Sequence, residues 1–164
     1  MTQPATAETP DQAVRKSITV EASREKAFEV FTTGMSRWWP LDTHHIGRSE
    51  PTEVVVEPRV GGRWFERAED GSECEWGRVR EYESPARLVF AWHLGPGWKY
   101  DPDPAMATEV EVLFIEEGPA RTRVELEHRG FEVHGDRAEE LRLPISQEGG
   151  WSGLLERFAE SAQS

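Results

Sequence analysis

Thr108 to Glu116 and Thr122 to His128 alternate apolar and polar residues one by one, with Gly118-Pro119 between them. Period-two alternation marks a strand with one buried face, and so short a break joins two such strands as an antiparallel hairpin. The same grammar extends backwards. Thr52 to Glu57 is β-branched and ends at Pro58, and Gly61-Gly62 opens Arg63 to Arg67. Asp70-Gly71 is a hairpin signal before Glu73 to Tyr82, and Ser84-Pro85 turns the chain into Arg87 to Leu94. A Gly/Pro/Asp-rich loop covers Gly95 to Ala105. With Val14 to Val20 at the start, the chain predicts seven short strands joined mostly by tight turns, an antiparallel sheet.

Such a sheet must cover its apolar face, and the chain supplies one clear cover. Trp151, Leu154, Leu155, Phe158 and Ala162 recur at helical spacing and form one apolar stripe. Ser23 predicts an N-cap for a short helix carrying Ala27, Phe28 and Phe31, with Glu25 in its first turn. Gly34 breaks it, and Met35 to Trp39 is expected to form another turn before Pro40. The polar segment Glu132 to Arg142 has room for a helical turn or two. The fold class is therefore α+β: a seven-stranded antiparallel curved sheet around a long C-terminal helix, with two short helices between strands 1 and 2. Residues 1–12 read as a loose tail and 13–164 as one domain, an ordinary size for 164 residues.

Charge and cysteine usage exclude several classes. There are 31 acidic against 19 basic residues, a formal net charge of -12. That balance repels phosphate backbones, and no Lys/Arg run offsets it, so no nucleic-acid partner is expected. No apolar run reaches the length of a membrane span, so no membrane insertion is expected. The N-terminus lacks the basic and apolar regions of a signal peptide. Cys74 is the single cysteine, which excludes an internal disulfide and fits a reducing compartment. The chain is expected to be soluble and cytoplasmic.

Several words in this pattern go further. They are Val20-Glu21-Ala22-Ser23 with Ala27-Phe28 and Phe31, Trp38-Trp39-Pro40, Gly61-Gly62-Arg63-Trp64, and Gly77-Arg78-Val79 with Pro85. Arg87 to Trp92, Val124-Glu125-Leu126 with His128 and Gly130, and Gly149-Gly150-Trp151 with Leu154-Leu155 complete them. Together they resemble the SRPBCC superfamily, the helix-grip fold of START domains and birch-pollen-allergen-like proteins. Within it the chain resembles the bacterial branch related to the C-terminal domain of the heat shock protein 90 ATPase activator. The resemblance covers roughly residues 12–162. It implies a cavity between the concave sheet and the last helix. The eukaryotic activators carry a further N-terminal domain that twelve tail residues do not supply.

The leading functional reading is a binding protein for a small apolar or amphipathic ligand, without a cofactor. The expected ligand-binding set is Trp39, Glu66, Trp76, Phe90, Trp92, Val112, Phe114, Leu126, His128 and Trp151. The opposing reading is that these large side chains fill the space as close-packed core. His128 ends an apolar row, either as a proton donor and acceptor for a ligand or as a histidine satisfied by the sheet. Glu66 shares parity with Trp64, so its carboxylate either points inward as acid, base or ligand anchor, or faces water. Trp38-Trp39-Pro40 either caps the cavity mouth or plugs the join of helix and sheet. Gly149, Gly150 and Gly153 imply close approach of backbone to a ligand or to the sheet, or a helix that begins only at Trp151.

His44, His45, Cys74, His93 and His134 match no zinc-site spacing, and no metal is expected. No nucleophile elbow, P-loop or dinucleotide fingerprint is present. Two further readings stay open. One is a chaperone ATPase activator-like interaction module. The other is a cyclase-, hydrolase- or dehydratase-type enzyme using His128 or Glu66. A homodimer is likewise open.

Overall fold

The computed structural model describes residues 12–164. The expected tail lies outside the described residues, apart from Gln12. Strand β1 (Val14–Val20) leads into helix α1 (Arg24–Phe31), and a 3-10 turn follows at Met35–Arg37. Ser23 caps α1 as expected, its Oγ accepting from the Lys26 amide at 3.1 Å. The meander β2 (Pro51–Val56), β3 (Arg63–Ala68), β4 (Glu73–Glu83) and β5 (Arg87–Trp92) follows. A small hairpin of β6 (Leu94–Gly95) and β7 (Lys99–Tyr100) interrupts it before β8 (Thr108–Gly118) and β9 (Arg121–Arg129). Helices α2 (Ala138–Ser146) and α3 (Gly153–Gln163) close the chain.

The main sheet has seven strands in the order β1-β9-β8-β5-β4-β3-β2, and every pair is antiparallel. Consecutive strands β1 and β2 thus lie on opposite edges, and α1 with the following loop spans the concavity between them. Register shifts at Trp64/Phe65 and at Val79/Glu81 insert extra residues and bend the sheet. This is the α+β helix-grip architecture expected from the alternation and the apolar stripe.

The concave rows are buried as the parity requires: Val110, Val112 and Phe114 on β8, Val124, Leu126 and His128 on β9, Leu88, Phe90 and Trp92 on β5. Phe158 of α3 enters this layer edge-on to Phe31 at 5.3 Å and to Trp38 at 5.7 Å. On the convex face the charged residues that alternate with these rows form a partly covered lattice. Arg129 donates to Glu109 and Glu111 at 2.8 Å each, and Arg87 donates to Glu111 at 2.7 Å. These bonds, the one from Arg129 foremost, hold the Glu111 carboxyl below the usual carboxylate range. Phe65 is buried on this face beneath the guanidiniums of Arg63 (4.2 Å) and Arg67 (5.3 Å).

The C-terminal region differs most from expectation. The segment expected to hold a helical turn or two forms a 3-10 stretch over Phe131–Arg137 and then the nine residues of α2. Ala138, Leu141 and Ile145 are buried on one side of α2, and Pro144 sits in its last turn. A π-type turn over Glu148–Ser152 joins α2 to α3. Gly150 and Gly153 serve the two helices themselves, while a Cβ on Gly149 would meet open space. A Cβ on Gly150 would strike the Ile145 carbonyl, and one on Gly153 would strike the Glu148 carbonyl.

Candidate functional site

The site begins with Glu66. Its carboxylate is buried and accepts three hydrogen bonds of 2.8 Å, from the Ile46 amide, the Gly47 amide and the Trp76 indole N–H. It thereby fixes the loop between the 3-10 turn and β2 against β3 and β4. Gly47 permits this approach, because a Cβ there would lie 2.9 Å from Glu66 Oε2 and 3.0 Å from Cys74 Sγ. The loop carries Trp39, whose indole N–H donates to the His44 carbonyl at 3.0 Å. His44 Nε2–H donates to the Gly149 carbonyl at 2.7 Å, tying the loop to the turn between α2 and α3. His45 Nδ1–H donates to the Leu41 carbonyl at 2.6 Å.

A cavity of about 330 Å³ lies between this loop, the end of β5 and the α2–α3 turn. Its depth is built from Trp39, Trp76, Trp92, Trp151, Ile145 and Leu154, all buried. Trp39 lies 5.0 Å from Trp76 and 6.3 Å from Trp151, and Trp92 lies 6.0 Å from Trp151, ring centre to ring centre. The rim is Thr43, Gln147, Gly149 and Trp98, all exposed. Trp98 stands at the tip of the β6–β7 hairpin with φ of 61°, a left-handed conformation uncommon for a bulky residue.

The indole N–H groups of the deep wall all point to protein partners. Besides those of Trp39 and Trp76, Trp92 donates to the Leu94 carbonyl at 2.9 Å and Trp151 donates to His128 Nδ1 at 3.1 Å. The cavity is therefore faced with aromatic π surface. An indole N–H only donates, so His128 Nδ1 carries the lone pair, and its Nε2–H pairs with the Thr108 hydroxyl at 2.8 Å. Complete burial pushes the His128 pKa down to about 3, leaving it a neutral imidazole at neutral pH.

Four of the ten expected residues, Trp39, Trp76, Trp92 and Trp151, line this cavity. Phe90, Val112, Phe114 and Leu126 lie in the core layer, with Phe90 stacked at 4.2 Å on Trp64 behind the wall. Glu66 and His128 also sit behind the wall, each holding one of its tryptophans. Sequence reasoning left out Trp98, Leu94, Ile145 and His45. Trp98 lies in the segment read as a loop, Leu94 ends a segment read as a strand, Ile145 lies just past the polar segment, and His45 was weighed only as a metal ligand. Among the described residues, no group of three or more His, Cys, Asp or Glu side chains is arranged to hold a metal ion. No helix among them is long and apolar enough to cross a membrane.

A family model described as Activator of Hsp90 ATPase homolog 1-like protein matches residues 21–163. The chain belongs to this family. The Hsp90-activator-homolog match spans every element from α1 to α3. Among solved structures, the chain is similar to the anthrahydroquino-γ-pyrone synthase Txn09 complexed with SUM. That pair shares 40% identity, covers 90% of this chain and 95% of the other, and has a TM-score of 0.64. It is also similar to CalC, a self-sacrificing resistance protein from Micromonospora echinospora, at 32% identity. There the match covers 93% of this chain and 94% of the other, with a TM-score of 0.67. An AHSA1-like protein from Aeromonas hydrophila shares the fold at 24% identity, with 90% of each chain covered and a TM-score of 0.55. No curated protein matches the chain.

Proposed function

We propose that this protein binds a flat, mostly apolar aromatic molecule between the indole faces of Trp39, Trp76, Trp92 and Trp151. The observation that carries this reading is the combination of a cavity of about 330 Å³ with a wall whose indole N–H groups are all bonded to the protein. Small-molecule sites are commonly about 300–1,000 Å³ and mostly apolar, so a fused-ring ligand of modest size suits this one. Stacked and edge-on aromatic contacts each contribute about 0.5–1.5 kcal/mol beyond the area they bury. The 40%-identical neighbour supports the ligand class, since its name denotes a synthase of a fused-ring aromatic product. A ligand-binding role also suits a fold whose 32%-identical neighbour is a resistance protein. Acid–base catalysis by His128 or Glu66 has less support, because both are bonded to the protein behind the wall. An apolar core without room for a ligand is the competing reading. Titration with 9,10-anthraquinone, followed by tryptophan emission, separates the two. Saturable quenching at one probe per chain is expected. Quenching that is linear in probe and equal for the denatured chain would refute the reading.

A further inference from the structure

The polar groups on the cavity wall divide into those already bonded and those left over. The four deep indole N–H groups are bonded. Both ring nitrogens of His44 are bonded, to the Gly149 carbonyl and to the Thr43 hydroxyl (2.8 Å). That hydroxyl also reaches the Pro40 carbonyl at 3.3 Å. His45 differs. It lines the cavity half-buried, and its one hydrogen bond runs from Nδ1 to the Leu41 carbonyl at 2.6 Å. A carbonyl only accepts, so Nδ1 carries the proton, and in the neutral ring Nε2 is a bare acceptor. Nε2 has no partner among the described residues.

The loop that presents this nitrogen is held at both ends of the dipeptide His45-Ile46. The Leu41 carbonyl fixes the ring, and Glu66 fixes the backbone at Ile46 and Gly47. The His45 ring is thus held in place on a wall it shares with Trp39 and Trp76, the arrangement by which an apolar pocket reads one polar substituent of its ligand. We propose that His45 Nε2 is the hydrogen-bond acceptor that selects a hydroxylated ring in this cavity, so that the ligand class is a phenol- or enol-bearing polycycle. A hydroxyl on the ligand donates to Nε2. A ligand without one covers the nitrogen and leaves it unpaired, the more costly of the two states. This inference rests on the aromatic-binding reading above and narrows its ligand class.

The test compares 2-hydroxyanthraquinone with 9,10-anthraquinone on wild type, His45→Asn and His45→Gln, at a pH where the phenol is protonated. Asn keeps a donor near the Nδ1 position but ends short of Nε2. Gln reaches the Nε2 position with an amide that can accept. Wild type is expected to bind the hydroxylated probe about tenfold more tightly than the plain quinone, the worth of one hydrogen bond at a partly open site. His45→Asn should abolish that preference, read as the ratio of the two affinities within each protein, and His45→Gln should restore part of it. Equal affinities in wild type would overturn the assignment while leaving the aromatic cavity standing, and need no variant to be read. A preference that survives in His45→Asn would overturn it too. Failure of wild type to bind either probe would overturn both the cavity reading and the assignment.

Discussion

His128 makes the stability of this fold depend on pH in a way that can be isolated. Its pKa lies near 6.5 in an unfolded chain and is pushed down to about 3 in the fold by complete burial. Between those values the unfolded state binds a proton that the folded state refuses, so stability is full above about pH 6.5 and declines as the pH falls below it. Each pH unit in that window costs about 1.4 kcal/mol, so moving from pH 6.5 to pH 4.5 removes about 3 kcal/mol through this one group. Carboxylates such as Glu111, held below their ordinary range, also favour the fold at neutral pH and lose that effect under acid. The comparison must therefore be a difference of differences. Urea unfolding of wild type and His128→Gln at pH 7.5 and pH 4.5 supplies it, because the carboxylates respond alike in both proteins. The variant is expected to be less stable at pH 7.5, having lost the bonds to Trp151 and Thr108. Its further loss on acidification should be smaller than that of wild type by about 3 kcal/mol. Parallel losses in the two proteins would show that His128 accepts a proton in the folded state, and would refute its placement as a sealed neutral bridge.

Two substitutions test the elements around the cavity. Phe158→Ala removes a fully buried ring from between Phe31 and Trp38 and should cost about 3–5 kcal/mol in urea unfolding; a loss under about 1 kcal/mol would mean that α3 does not pack as described. Glu66→Gln keeps the shape but turns an amide toward a site where three N–H groups donate, so it should cost about 1–3 kcal/mol and change Trp76 emission; an unchanged protein would show that Glu66 does not organise the loop.

Much of this architecture is legible in the sequence because period two and period 3.6 are enforced by burial. The alternation in β8 and β9 and the stripe through Trp151, Leu154, Leu155 and Phe158 each fix a face. Parity gives the face of a residue but not its depth along the sheet. Trp92 and Phe90 share a row, yet Trp92 borders the cavity and Phe90 stacks on Trp64 behind it. Helix α2 escaped because its buried residues, Ala138, Leu141 and Ile145, are few among charges, and Pro144 reads as a helix breaker although its missing N–H is tolerated near the helix end. His128 is legible as the end of an inward row while Glu66 is left between two faces, and the partners of both come from segments distant in sequence, Ile46 with Gly47 and Trp151. His45 lies in a loop with no period at all. Its role depends on the Leu41 carbonyl and on the neighbouring tryptophans, which only the folded chain brings together.

Under the proposed function the ligand lies against the indole faces of Trp39, Trp76, Trp92 and Trp151. The seven tryptophans allow it to be read directly, because each gives its own indole N–H signal in a two-dimensional nitrogen–proton NMR spectrum. Addition of 2-hydroxyanthraquinone should move the signals of Trp39, Trp76, Trp92 and Trp151 by ring-current shifts, together with that of Trp98 at the rim. Trp38 and Trp64, which lie behind the wall, should move least. A titration that leaves the four wall signals in place, or moves only the exposed Trp98, would contradict the account.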